Sequence, residues 1–227
     1  MNEDTPDSVD IQQVEQGLRT LTHDWRNVLN GINLRISSAK YAETDAEWES
    51  DLEEAHQLIV AATAQLGALS RRIATPTVTA IPYPVDFFLE DLAGYLSQHL
   101  GENALKLEWE KSAASGKVVL DFGLIAQAVS ELIENSLRRL SADAKLSIAA
   151  REAGGFLALC WSERYEGDSD PETWGRQPFS SSERGRMGLG LYFARRVLAA
   201  HGGDIQFEQN ALNGMLQTTV CIPMKLP

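Results

Sequence analysis

The sequence predicts an α+β chain in two parts: a two-helix hairpin, able to form a four-helix bundle on dimerisation, and then an α/β two-layer sandwich. Three observations predict it. Long apolar stripes recur every three or four residues over the first seventy-odd positions. A proline cluster then stops the helical period. Beyond it, short strand patterns alternate with helical ones.

Residues 1–10 (MNEDTPDSVD) carry four acids and almost nothing to bury, and read as an acidic flexible tail. Over 11–75, Val14, Leu18, Leu21, Trp25, Val28, Leu29, Ile32 and Ile36 mark one helix. Trp48, Leu52, Ala55, Leu58, Ile59, Ala62, Leu66, Leu69 and Ile73 mark a second. The turn between them offers Thr44 or Asp45 as the cap of the second helix. Two amphipathic helices joined this way form an antiparallel hairpin, which cannot enclose a core by itself. A homodimer is therefore expected.

Residues 76–84 hold three prolines and read as a linker. From 85 to 227 helical periods cover 85–100, 124–140 and 189–201. Strand patterns cover 105–109, 117–120, 145–150, 155–160, 204–209 and 217–222, with an Asn213-Gly214 turn between the last two. Residues 162–186 have no clear period and read as a long loop. This order implies one sheet covered by helices on one side.

Composition excludes several functions. Twenty basic residues against thirty-two acidic ones, a formal net charge of −12, argue against neutralising a nucleic-acid backbone. The segment 43–54 holds seven acids and no base, which suits a basic partner face or simply a solvated helix start. Two cysteines, Cys160 and Cys221, make neither a disulfide framework nor a metal motif and suit a reducing compartment. Neither a leader-like segment nor a run of about 18 apolar residues appears. The expectation is a cytoplasmic protein with no membrane and no nucleic acid among its partners.

His23 is the first candidate site. The apolar stripe passes through Leu21 and Trp25, so His23 points off it, with Asn27 and Asn30 on its own face. A solvated helix histidine is the plain reading. The chemical one is that an unperturbed imidazole, largely neutral at pH 7, can attack phosphorus through a ring nitrogen. Asp24 could hold a ring proton, and Asn27 could orient a water or an incoming acyl phosphate. Metal ligation is disfavoured, because no second ligand recurs nearby.

The second candidate lies in ELIENSLRR. Glu131 and Asn135 fall at i and i+4 with Arg138 a turn further on, a set that could hold Mg²⁺ and phosphate or be only a solvated helix face. Later, Gly188 and Gly190 open a helix whose first amides could meet a phosphate. The other histidines are bland: His56 and His99 lack partners, and His201 belongs to a His-Gly-Gly turn.

THDWRNVLNGI resembles the phosphoacceptor box of sensor histidine kinases and of histidine phosphotransfer proteins built on the same hairpin. That resemblance implies His23 as phosphoacceptor, Asp24 in transfer from ATP, and Asn27 in dephosphorylating a receiver. ELIENSLRR resembles the N-box of the ATPases that include histidine kinases, gyrase, Hsp90 and MutL. By that likeness Asn135 ligates Mg²⁺, Glu131 is the acid one turn before it, and Arg138 contacts phosphate. PFSSSERGRMGLGLYFARRVLAAHGGDIQF is similar to the F-box and G2 box of the same family. The second domain is thus expected to be of the histidine kinase ATPase type.

The family's Asp-x-Gly-x-Gly stretch, whose Asp recognises the adenine amino group, is replaced here by CWSERYEGDSDPETW, with Glu163 or Asp168 only loosely matched to that acid. Arg186 stands at the first glycine of the G2 box. These departures lead the sequence to predict a histidine phosphotransfer protein that moves phosphoryl groups between receiver-domain aspartates through His23, needs no cofactor, and carries a worn ATPase-like domain. Two alternatives stay open. One is a kinase that phosphorylates His23 using ATP and Mg²⁺; the other is a non-catalytic adaptor or anti-factor of the same fold.

Overall fold

The computed structural model describes residues 11–110, 114–167, 170–180, 188–210 and 212–225. The first compact unit is the hairpin through Ala74 together with residues 177–189. Its helices are α1 (Ile11–Ala39) and α2 (Asp45–Ile73). Thr44 caps α2: its hydroxyl accepts from the Glu47 amide at 3.3 Å, while the Glu47 carboxylate accepts from the Thr44 amide at 3.3 Å. This reciprocal pair satisfies two free amides and contributes about 1 kcal/mol. Ala55, Ala62 and Leu69 lie buried on α2, as do Gly17 and Ala39 on α1. Near the turn, Arg35 of α1 bridges Glu54 at 2.7 Å and Asp51 at 3.4 Å, so two acids of the 43–54 run serve the hairpin itself.

The second unit holds residues 75–176 and those from 190 onward. Its strands are β1 (Ile81–Pro84), β2 (Leu107–Trp109), β3 (Lys117–Leu120), β4 (Leu146–Ala153), β5 (Phe156–Arg164), β6 (Asp204–Asn210) and β7 (Met215–Lys225). They form one mixed sheet in the order β1-β3-β7-β5-β4-β2, with β6 also paired to β7. All pairs are antiparallel except β2 with β4. Three helices, α3 (Val85–Leu100), α4 (Phe122–Leu137) and α5 (Gly190–Ala200), supply the other layer. Phe88, Leu92 and Leu96 of α3, Ile125 and Ile133 of α4, and Val197 and Leu198 of α5 share a core with alternate residues of β4, β5 and β7. That core contains Leu157, Leu159 and Trp161 of β5.

Several boundaries differ from the sequence reading, each for a physical reason. The proline segment ends in a strand, because an edge strand needs hydrogen bonds on one side only and tolerates Pro82 and Pro84. The pattern at 105–109 becomes a 3-10 turn, Gly101–Lys106, followed by the short β2. Helix α4 starts earlier than expected, capped by the Asp121 carboxylate on the Leu124 amide at 3.2 Å, and ends at Leu137 rather than 140. Strand β5 extends four residues beyond the expected end, which carries Glu163 into the sheet. A further 3-10 turn, Pro171–Thr173, interrupts the expected loop.

His201 is less bland than its turn suggested. Its Nε2 accepts from the Asp121 amide at 3.0 Å and its Nδ1 lies 2.7 Å from the Val197 carbonyl, fastening the end of α5 to the cap of α4.

Candidate functional site

His23 stands in the middle of α1 with its side chain 71% exposed. The helix places Asp24 beside it and Asn27 one turn on, and both reach the same edge of the ring. Asp24 Oδ1 lies 3.3 Å and Asn27 Nδ2 3.4 Å from His23 Nδ1. Among the described residues no hydrogen bond is made at Nε2. With Asp24 as acceptor, Nδ1 carries the proton and the Nε2 lone pair is open to solvent. The three expected residues therefore form a group with one nitrogen held and the other presented. Asn30 and Leu29 are also exposed, the latter at 53%.

The second cluster is built on α4. Glu131 and Asn135 share a face of the helix, and Arg138 lies just beyond its end. Arg138 Nη2 reaches the Asn135 carboxamide oxygen at 3.5 Å, and Nη1 lies 3.7 Å from Glu134. Burial raises the pKa of the Tyr95 hydroxyl on α3, and the negative charges of Glu131 and Glu134 add to it. At the start of α5, a side chain on Gly190 would strike Glu131 Oε2. Gly188 has φ +61°, in the left-handed region that favours glycine. Asp168 and Arg186 lie outside the described residues.

The sequence undervalued Glu163. It continues the inward alternation of Leu157, Leu159 and Trp161 along β5 and is 1% exposed. Its Oε1 accepts from the Ser136 hydroxyl at 2.9 Å and from Arg139 Nη1 at 2.6 Å, and the Trp161 indole donates to Ser136 Oγ at 2.8 Å. Its Oε2 is buried with no hydrogen-bond partner among the described residues. Burial raises the Glu163 pKa, opposed by the Ser136 hydrogen bond and the Arg139 charge. Arg139 in turn lies 4.5 Å from the Trp174 ring and 5.6 Å from the Tyr165 ring. Reading the two-residue alternation past Cys160 would have marked Glu163 as inward-facing; searching for a glycine-rich string could not.

The sequence model of the histidine kinase-, DNA gyrase B-, and HSP90-like ATPases matches residues 121–226, from the cap of α4 to the end of β7. The chain contains an ATPase domain of this family. Over 118 residues it is 30% identical to the sensor protein DivL of Caulobacter vibrioides, a match covering 51% of this chain and 15% of that protein. The chain thus spans a small part of that relative's length.

Among solved structures, full-length ShkA in complex with AMPPNP aligns with TM-score 0.59 and 19% identity, over 93% of this chain and 47% of that one. The Acinetobacter baumannii histidine kinase AdeS aligns with TM-score 0.56 and 19% identity, over 90% of this chain and 98% of that one. These likenesses show the fold: a helical region followed by the histidine kinase ATPase architecture.

Such a domain implies ATP and Mg²⁺, and the residues present fit them. A buried carboxylate oxygen without a donor, at the end of β5 and one residue from Asn135 through Ser136, is an acceptor suited to a base amino group. A side chain on Gly190 would oblige the Glu131 carboxylate to shift. Asn135 and Glu131 offer the oxygens a hydrated Mg²⁺ takes. Among the described residues there is no group of three or more His, Cys, Asp or Glu able to hold a metal alone. No described helix is long and apolar enough to cross a membrane.

Proposed function

We propose that this chain is a two-component histidine kinase, in which His23 takes a phosphoryl group from ATP bound on the ATPase domain and hands it to a receiver-domain aspartate. The observation that carries the reading is Glu163: its buried Oε2, without a donor among the described residues, offers a base acceptor although the chain has no Asp-x-Gly-x-Gly stretch. The histidine kinase alignments along more than 90% of this chain support the same choice of donor.

ATP would supply the electrophilic phosphorus. The chain's own residues prepare the nucleophile. Asp24 accepts the Nδ1 proton and fixes the tautomer, so that Nε2 attacks as a neutral amine. As the N–P bond forms, the bond from the γ-phosphorus to the bridging oxygen would break and ADP leave, while the Asp24 carboxylate offsets the positive charge that grows on the ring. Asn27, whose Nδ2 lies near the same ring edge and can donate to Nδ1 only in the other tautomer, would orient water when the receiver is dephosphorylated. Glu131, Asn135 and Arg138 would bind cation and phosphate, and Glu163 the base.

A second reading is a phosphotransferase fed by a phosphorylated receiver, with no use of ATP. The observation favouring it is that Arg139 already occupies one oxygen of Glu163, while Tyr165 stands where the family has its first glycine. Titration calorimetry with ATP and Mg²⁺ separates the two. Micromolar to low millimolar binding supports the kinase; no heat at millimolar ATP from a folded sample removes it and leaves the receiver as donor.

In either case we propose a homodimer through the hairpin and receiver domains as partners. Leu18, Leu29, Val60 and Leu66 are about half exposed on the two helices, more apolar surface than a solvated hairpin carries comfortably.

A further inference from the structure

We propose that Arg139 is the positioning residue of base recognition: it ties down Oε1 of Glu163, so that Oε2 alone faces the base and reads its exocyclic amino group. This rests on the nucleotide reading above and adds to it a residue that neither the N-box pattern nor the glycine-rich loop contains.

The argument starts from satisfaction of lone pairs. An ion pair kept purely for stability inside a core has both carboxylate oxygens hydrogen-bonded, since a buried acceptor left unmade is costly. The Glu163 pair departs from this. Two donors, the Ser136 hydroxyl and Arg139 Nη1, converge on one oxygen at 2.9 and 2.6 Å, while the other has none. Concentrating both donors on Oε1 leaves Oε2 without a donor among the described residues, an acceptor whose natural partner is an amino group.

Arg139 is held firmly enough to do this. Its guanidinium lies 4.5 Å from the Trp174 ring, and Trp174 meets Tyr165 edge-on at 5.1 Å and Phe207 at 5.4 Å. The carbonyl of Trp174 accepts from Arg195 Nε at 2.5 Å, and Arg195 Nη1 donates to the Ile205 carbonyl at 3.1 Å. Arg139 therefore rests on a wall anchored to α5 and β6. A planar guanidinium fits such an aromatic wall where an ammonium would not. Without Arg139, burial would drive Glu163 towards its protonated form, which presents a donor to the base amino group.

The test compares binding of ADP·Mg and IDP·Mg by calorimetry. The two ligands share their phosphates and ribose but differ in the amino group, which IDP replaces with an oxygen. Wild-type protein is expected to prefer ADP by about tenfold or more, as for a buried acceptor losing its donor. Arg139→Gln, checked as folded by its thermal transition, is expected to bring the preference to within about threefold while both ligands still bind through their phosphates. Should Arg139→Gln not fold, Arg139→Met, whose thioether keeps packing against the Trp174 ring while giving Oε1 no donor, is expected to show the same loss of preference.

Undiminished preference for ADP in either folded variant overturns the role of Arg139 and leaves the nucleotide site standing. Equal wild-type binding of the two ligands also overturns it, because Oε2 would then not read the amino group. If the wild type binds neither, the nucleotide reading itself falls and this inference with it.

Discussion

His23 shows how much a single side chain's surroundings decide. It is exposed, so removing it disturbs no packing, and its Nδ1 meets the Asp24 carboxylate in one tautomer and the Asn27 amide in the other. His23→Ala is expected to abolish phosphoryl transfer while helical content and melting temperature stay within error, checked by labelling and circular dichroism. Glu163 is the opposite case, with a fully buried side chain whose charge is a cost to the fold. Because burial raises its pKa, the stabilising contribution of its protonated form is complete below the unfolded carboxyl pKa, about 4.3, and is lost as pH rises through the raised folded value. Glu163→Gln should therefore gain melting temperature relative to wild type as pH goes from 4 to 7. A constant difference across that range would mean that Glu163 does not titrate there. His23 was legible in the sequence because the apolar stripe fixes which way it points. Glu163 was not, since its meaning depends on a strand running past the point where its hydrophobic residues stop.

At the scale of elements, the long helices were legible because their apolar period persists over eight turns, and the cap of α2 because Thr44 and Glu47 stand at the spacing a reciprocal cap requires. Thr44→Ala should cost about 1 kcal/mol in denaturant unfolding with an unchanged slope. Strand β1 was not legible, because prolines remove the donors by which a strand is usually recognised and an edge position forgives the loss. The start of α5 can be tested directly. Gly190→Ala obliges the Glu131 carboxylate to swing aside, so it should weaken Mg-nucleotide binding about tenfold at a cost to the domain of no more than about 1 kcal/mol. Unaltered affinity and stability would show that Glu131 moves aside freely and is not fixed in place.

For the molecule as a whole, composition argued against a nucleic-acid backbone as partner more readily than it pointed to a phosphate donor. The order of elements was legible because strands and helices differ in period; donor choice was not, because it turns on one carboxylate and its neighbours. Oligomerisation belongs to this scale as well. Leu29→Glu with Leu66→Glu should convert a dimer into a monomer by sedimentation while leaving the separate ATPase fold intact, since both positions lie on the hairpin unit. A wild type already monomeric at micromolar concentration would remove the bundle. The measurement closest to the central claim is incubation of the purified chain with γ-labelled ATP and Mg²⁺, side by side with His23→Gln. The account requires an acid-labile, base-stable phosphoryl label on the wild type and none on the variant; label of equal strength on both, or none on a wild type that binds ATP, would contradict it.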